Sequence, residues 1–208
     1  MLGNFESAIR YYKSGLNTLF HQENHNYVIT LFHYVCPLFY TKRFEEAKAA
    51  IAEMELASAL RPNDLRFSKY ILFKAFLAFV ENDYKGCIHA LKSTSKLNQD
   101  KTGHDFFIRL LRIQSFIMLN QLDGACHALQ AFRKFVTRHG KNLIPSRDKT
   151  ILKILLLAER RGFTGPVKKT ERDLVAKLRL KKGAYAWLPL TNELIRFEEW
   201  YDNSPLSQ

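Results

Sequence analysis

Apolar residues return along this chain on two schedules. In Tyr27–Tyr40, Leu65–Glu81 and Asp105–Asn120 they recur every three or four positions, as at Phe106, Leu110, Ile113 and Ile117. That is the period of a helix with one side against a core. The same stretches carry apolar residues on neighbouring faces, such as Phe73, Phe76 and Phe79. Each predicted helix must therefore be covered from more than one side. Between them lie segments that open on a polar turn: "GNFESAIRYY", "KRFEEAKAAI", "NDYKGCIHAL" and "NQLDGACHAL". Each has an aromatic or Leu (Phe5, Phe44, Tyr84, Leu122), then a small residue three positions on (Ala8, Ala47, Cys87, Ala125). A larger apolar residue follows after four more (Tyr12, Ile51, Leu91, Leu129). Successive turns are 39, 40 and 38 residues apart.

The repeat has a physical reading. The aromatic at the start of the second helix packs back on the first. The small residue marks a close approach of two helix axes, and the larger apolar residue continues the same face one turn on. Polar stretches at Pro62-Asn63-Asp64, Asn98–Gly103 and His139-Gly140 supply the stops. An all-α stack of antiparallel helix pairs follows.

Gly3-Asn4-Phe5-Glu6-Ser7-Ala8-Ile9, Phe44-Glu45-Glu46-Ala47 and Tyr84-Lys85-Gly86-Cys87 resemble the turn and second helix of a tetratricopeptide repeat. The resemblance covers residues 1–140. It departs in a period longer than the usual of about 34 residues and in first helices without the family's Trp and Leu-Gly consensus. The stretch "AYAWLPLTNELIRF" resembles the tail of bacterial proteins with such repeats. The resemblance implies a right-handed superhelical stack whose concave face, made by the first helices, binds a peptide or protein partner. In the family's register Phe32, Phe39, Tyr40, Leu72, Phe76, Phe79, Leu110 and Ile117 point near that face, with about a third expected to reach solvent. Residues 1–17 supply only the second helix of a first repeat, so the expectation is that further sequence precedes Met1.

From Lys141 to residue 208 the pattern predicts a helical cap belonging to the same compact unit as the repeats. Ser146-Arg147-Asp148 is expected to cap a helix running to Arg161, and Thr170-Glu171-Arg172-Asp173 to form a capping box before Leu174. Pro189 is expected in the first turn of a last helix striped by Leu194, Phe197 and Tyr201. The acidic end of that helix, Glu198, Glu199 and Asp202, is expected to meet basic helices.

Charge changes the picture in one place. The 208 residues carry a net charge of +12. Residues 133–182 hold 16 Lys/Arg against four acids, so they account for all of it and the rest is neutral. A field of this kind attracts polyanions. Arg133, Lys134, Arg138, Lys168, Lys169, Arg172, Lys177, Arg179, Lys181 and Lys182 are the residues that would serve a nucleic-acid or other polyanion surface. Few aromatics interleave with them, which argues against base stacking.

Other chemistry is sparse. Cys36, Cys87 and Cys126 are odd in number, well separated and without a CxxC pair, as expected of free thiols. "HQENH" sets His21 and His25 four apart, but Gln22 stands where a zincin needs Glu, and a polar loop is the simpler reading. His33 and Cys36 share a helix without a nearby glycine loop to hold an oxyanion. There is no GxGxxG, phosphate-binding loop or GxSxG. No reaction, cofactor or metal is expected. No basic-then-apolar leader opens the chain, and the longest apolar runs, Tyr70–Val80 and Ile151–Ala158, are too short to cross a bilayer. The expectation is a cytoplasmic interaction or scaffold module, with polyanion binding through residues 133–182 as the alternative.

Overall fold

A computed structural model describes residues 4–18, 25–56, 65–93, 104–138, 144–188 and 193–208. All the regular structure in them is helical. The first six helices are α1 (Phe5–Thr18), α2 (His25–Tyr40), α3 (Phe44–Leu56), α4 (Leu65–Val80), α5 (Tyr84–Leu91) and α6 (His104–Met118). Then come α7 (Leu122–Arg138), α8 (Ser146–Arg160), α9 (Lys169–Leu178), α10 (Phe197–Asp202) and a 3₁₀ turn, Pro205–Ser207. The three long apolar periods thus appear as α2, α4 and α6. The stops expected at Pro62–Asp64, Asn98–Gly103 and His139-Gly140 lie outside the described residues.

The repeat is built on one turn used three times. α2 ends with Lys42 at φ 59°, α4 with Asn82 at φ 64° and α6 with Asn120 at φ 54°. In each, the turn residue's N–H donates to the carbonyl three back: Phe39, Phe79 and Ile117 at 3.0–3.1 Å. The next N–H donates five back, to Leu38, Ala78 and Phe116, at 2.8–2.9 Å. This left-handed closure satisfies the last carbonyls of the first helix. It also reverses the chain so sharply that the second helix lies directly on the first. Ala47, Cys87 and Ala125 sit there with no exposed surface. Phe44 packs on Phe39 with ring centroids 5.8 Å apart, and Tyr84 on Phe79 at 5.3 Å, both five positions back. Between α6 and α7 a Cβ on Gly124 would meet the Phe116 ring at 2.8 Å, so the ring there needs a glycine opposite it.

Packing divides the chain into two units. The first comprises residues 1–108 and 189–194. Each of its helices α1–α5 packs on its sequence neighbour. The core is made by Ile9, Leu31, Val35, Leu38, Ile51, Met54 and Leu91, all nearly or fully buried. The division falls inside α6, whereas the charge changes near residue 133; packing and charge partition the chain at different places.

The second unit, residues 109–188 and 195–208, uses a different device. α7 packs on α8 and α8 on α9. Gly162 and Phe163, both left-handed, turn the chain after α8 and send the Phe163 ring into the core. Two buried arginines then fasten loops and the C-terminus. Arg161 forms a bidentate pair with Glu171, at 3.0 and 3.1 Å, and donates to the carbonyls of Phe163, Gly165 and Leu206. The Tyr201 hydroxyl donates to the same Glu171 at 2.6 Å. Arg147 donates to the carbonyls of Leu178 and Tyr185, at 2.9 and 3.0 Å, and pairs with Glu198. The acidic end of α10 does meet the basic helices: Glu198 on Arg147, and Asp202 on Arg179.

Three local expectations are corrected. α8 starts at Ser146 with Pro145 before it, and no side chain caps it. The Thr170–Asp173 box does not form. α9 starts at Lys169, so Thr170 lies inside the first turn and the N-cap is Lys168, which offers no side-chain acceptor. The last helix is only Phe197–Asp202, so Leu194 precedes it. Pro189 lies outside the described residues.

A buried ion pair is expensive to break from one side. Glu171→Ala leaves the Arg161 guanidinium without its carboxylate, and the expected loss is about 3–5 kcal/mol by urea titration. Arg161→Met combined with Glu171→Ala is expected to recover a large part of it. A double variant no more stable than Glu171→Ala would show that the pair is not what holds this region.

Candidate functional site

In the first unit the helices leave a cavity of about 420 Å³. α2 contributes Phe32, His33, Cys36, Pro37 and Tyr40, and α4 contributes Lys69, Leu72, Phe73 and Phe76. His33, Cys36, Pro37 and Tyr40 stand at i, i+3, i+4 and i+7, and Lys69, Leu72, Phe73 and Phe76 repeat that spacing. Phe5, Ala8 and Tyr12 of α1, His104 at the start of α6, and Leu194 complete the lining. Aromatic contacts fix the walls. The ring centroids of Phe5 and Tyr40 are 5.1 Å apart, and those of Phe32 and Phe73 are 5.8 Å apart. His33 stacks on Tyr12 at 6.0 Å. Among the described residues of the lining the titratable nitrogen side chains are His33, Lys69 and His104, and none is a carboxylate.

Four of the eight residues expected near a concave face line this cavity: Phe32, Tyr40, Leu72 and Phe76. Phe39 and Phe79 are spent on the hairpins, against Phe44 and Tyr84. Leu110 and Ile117 are buried in the second unit. Only Tyr40 of the eight is half-buried; the rest are buried, fewer open positions than expected. His33, Cys36, Lys69 and Leu194 are among the lining residues that sequence reading did not assign to a binding face. The matched i, i+3, i+4, i+7 rows were the signal for the first three; nothing in the pattern marks Leu194 as part of the lining.

Cys36 is not activated as a nucleophile. Burial pushes the Cys36 thiol up to about 12, only partly offset by the charge of Lys69. Its S–H also donates to the Phe32 carbonyl at 3.5 Å. The thiol stays protonated at neutral pH, and the thiolate is the reactive form. Burial likewise raises the Cys126 thiol. Among the described residues no three His, Cys, Asp or Glu side chains converge to hold a metal ion. His21, Gln22 and Glu23 lie outside those residues, and His25 opens α2.

The ten basic residues of the alternative surface fall into unequal groups. Arg133, Lys134 and Arg138 are exposed on α7 and border a cavity of about 490 Å³ that also meets Glu159 of α8. Lys168, Lys169 and Arg172 are exposed at the start of α9, and Lys181 and Lys182 beyond its end. Lys177 lies over the Tyr185 ring, 5.8 Å from its centroid. Arg179 is held by both oxygens of Asp202 at 2.6 and 2.8 Å. No described helix is long and apolar enough to cross a membrane.

Raised acidic groups make the fold sensitive to alkali. The Tyr27 hydroxyl, held by burial and by its 2.6 Å bond to Glu53, is pushed up to about 12, like Cys36. Unfolded, the thiol ionises near 9 and the phenol near 10. The folded chain binds more protons than the unfolded one in this window, so stability is full below pH 9 and falls as pH rises toward 12. Urea midpoints taken from pH 8 to 11 are expected to decline, less steeply in Cys36→Ala. A flat profile would contradict the burial assigned to these groups.

No protein family matches this chain, and no significant match is found among curated proteins or solved structures.

Proposed function

We propose that this chain is a tetratricopeptide-like interaction module that holds a partner's peptide segment in the groove between α1, α2 and α4. The observation that carries the reading is the pair of matched rows on α2 and α4 that line one cavity with aromatic walls and, among the described residues, basic but no acidic side chains. Apolar pockets give a segment its anchors, and placed charges select its sign. The expected partner segment is apolar and acidic. The repeated left-handed turns and the small residues packed at 38–40 residue intervals support the family reading. The right-handed superhelix is part of the same proposal.

Decapeptides selected from a random phage library on the purified chain are expected to combine Leu or aromatic residues with Asp or Glu. Lys69→Glu with His33→Glu is expected to weaken their binding about tenfold or more by fluorescence anisotropy, with an unchanged melting temperature. Failure to enrich peptides, or binding indifferent to both changes, would remove the groove as the site.

A second reading, polyanion binding by the basic third, is favoured by the exposure of Lys168, Lys169 and Arg172 together at one helix start. It predicts retardation of nucleic acid whose log affinity falls linearly with log salt. Reversing Lys168, Lys169, Arg172 and Lys177 to Glu is expected to abolish it. Absence of retardation at low salt in the unmodified chain would eliminate this reading.

A further inference from the structure

The groove already has a tenant. Leu194 lines the cavity, although it is more than 100 residues beyond α4 in sequence. It is 6% exposed, and Glu193 beside it is 1% exposed. Neither belongs to a helix: residues 193–196 are irregular, and α10 begins only at Phe197. Both nevertheless cluster with the first unit, while Ile195 and the residues after it cluster with the second.

Every other residue of the cavity lining belongs to a helix. A helix position is held by its ladder as well as by packing. A short irregular segment is held by its side chains and opens at lower cost. Its chemistry fits the groove, since an aliphatic side chain meets aromatic walls.

We propose that Leu194 is a built-in occupant of the groove, displaced when a partner segment sets an aliphatic side chain of its own in the same place. This rests on the groove being a peptide site. The segment competes with the partner, so apparent affinity is lowered by the fraction of time the groove is occupied from within. Removing the Leu194 side chain relieves that competition.

The test uses Cys36 as a reporter, because it lies in the lining and Cys126 does not. The intact chain is treated with N-ethylmaleimide, and each cysteine is followed by mass spectrometry. In Leu194→Ala, Cys36 is expected to label several-fold faster, with Cys126 unchanged. A fluorescein-labelled peptide copying residues 188–197 is expected to bind this variant about tenfold more tightly than the unmodified chain and to restore the protection of Cys36. Leu194→Val, a smaller deletion that keeps a branched side chain, is expected to show the same effects in weaker form should Leu194→Ala lose its cooperative melt.

An unchanged Cys36 rate overturns the proposal. Faster labelling that the peptide does not reverse also overturns it, because Leu194 would then be a packing residue only. If either occurs while library-selected peptides still bind in a Lys69-dependent way, the groove stands and only its internal occupant falls. If neither kind of peptide binds, the groove reading falls with it.

Discussion

The constraint on which the repeats depend is the reversal of the chain at Lys42, Asn82 and Asn120. A helix that ends leaves carbonyls without donors, and in an apolar stack those carbonyls are costly to bury. The left-handed residue brings two N–H groups back onto them within one turn. Nothing longer is needed, so the second helix must start at once, against the first. The axes then lie close together, and only Ala, Cys or Gly fits at the crossing. Lys42 carries a side chain into a conformation that costs non-glycine residues about 1–2 kcal/mol. That strain is tolerated because the turn determines where both helices go.

In the second unit the same problem of loose ends is met by charge. The loop after α8 and the C-terminal turn would each present carbonyls to the interior. Arg161 collects three of them, and Arg147 two more, while Glu171 and Glu198 neutralise the guanidinium groups. Burial of such a pair brings little net stability, but it fixes which loop lies against which helix. The basic third of the chain is therefore of two kinds. Arg147 and Arg161 are internal fasteners, Arg179 is paired, and the field felt outside comes from the lysines and arginines that remain exposed.

How far the sequence could be read follows from this difference. The repeats were legible because helix period, turn and crossing are local, and each leaves a residue type at a fixed offset. α2, α4 and α6 appear within two residues of the expected bounds at each end. The buried arginines were not legible. Partners lie 10 to 51 residues apart, and a Lys/Arg count gives a fastened guanidinium the same weight as a solvated one. For that reason nothing in the local pattern marked Glu171 as the counterion of Arg161. The groove was half legible. Phe32, Tyr40, Leu72 and Phe76 follow from the faces of the first helices, but Phe39 and Phe79 point there equally well and are taken by the hairpins. Period identifies a face and does not say which of its members the adjoining helix consumes. Leu194 carried the wrong local signature: it read as part of the last helix's stripe, but it precedes α10 and its place is decided by packing.

The groove itself arises from what its rows contain. Large rings at Phe5, Tyr12, Phe32, Phe73 and Phe76 stand around positions occupied by Ala8, Cys36 and Pro37. Rigid rings in fixed rotamers cannot collapse into the space beside three small or compact residues, so the volume stays open. Pro37 adds a second effect. It sits inside α2 and has no N–H, so the carbonyl of His33 loses its ordinary donor four residues on. Pro37 therefore takes one helical donor away from the stretch of α2 that also carries His33, Cys36 and Tyr40 of the lining.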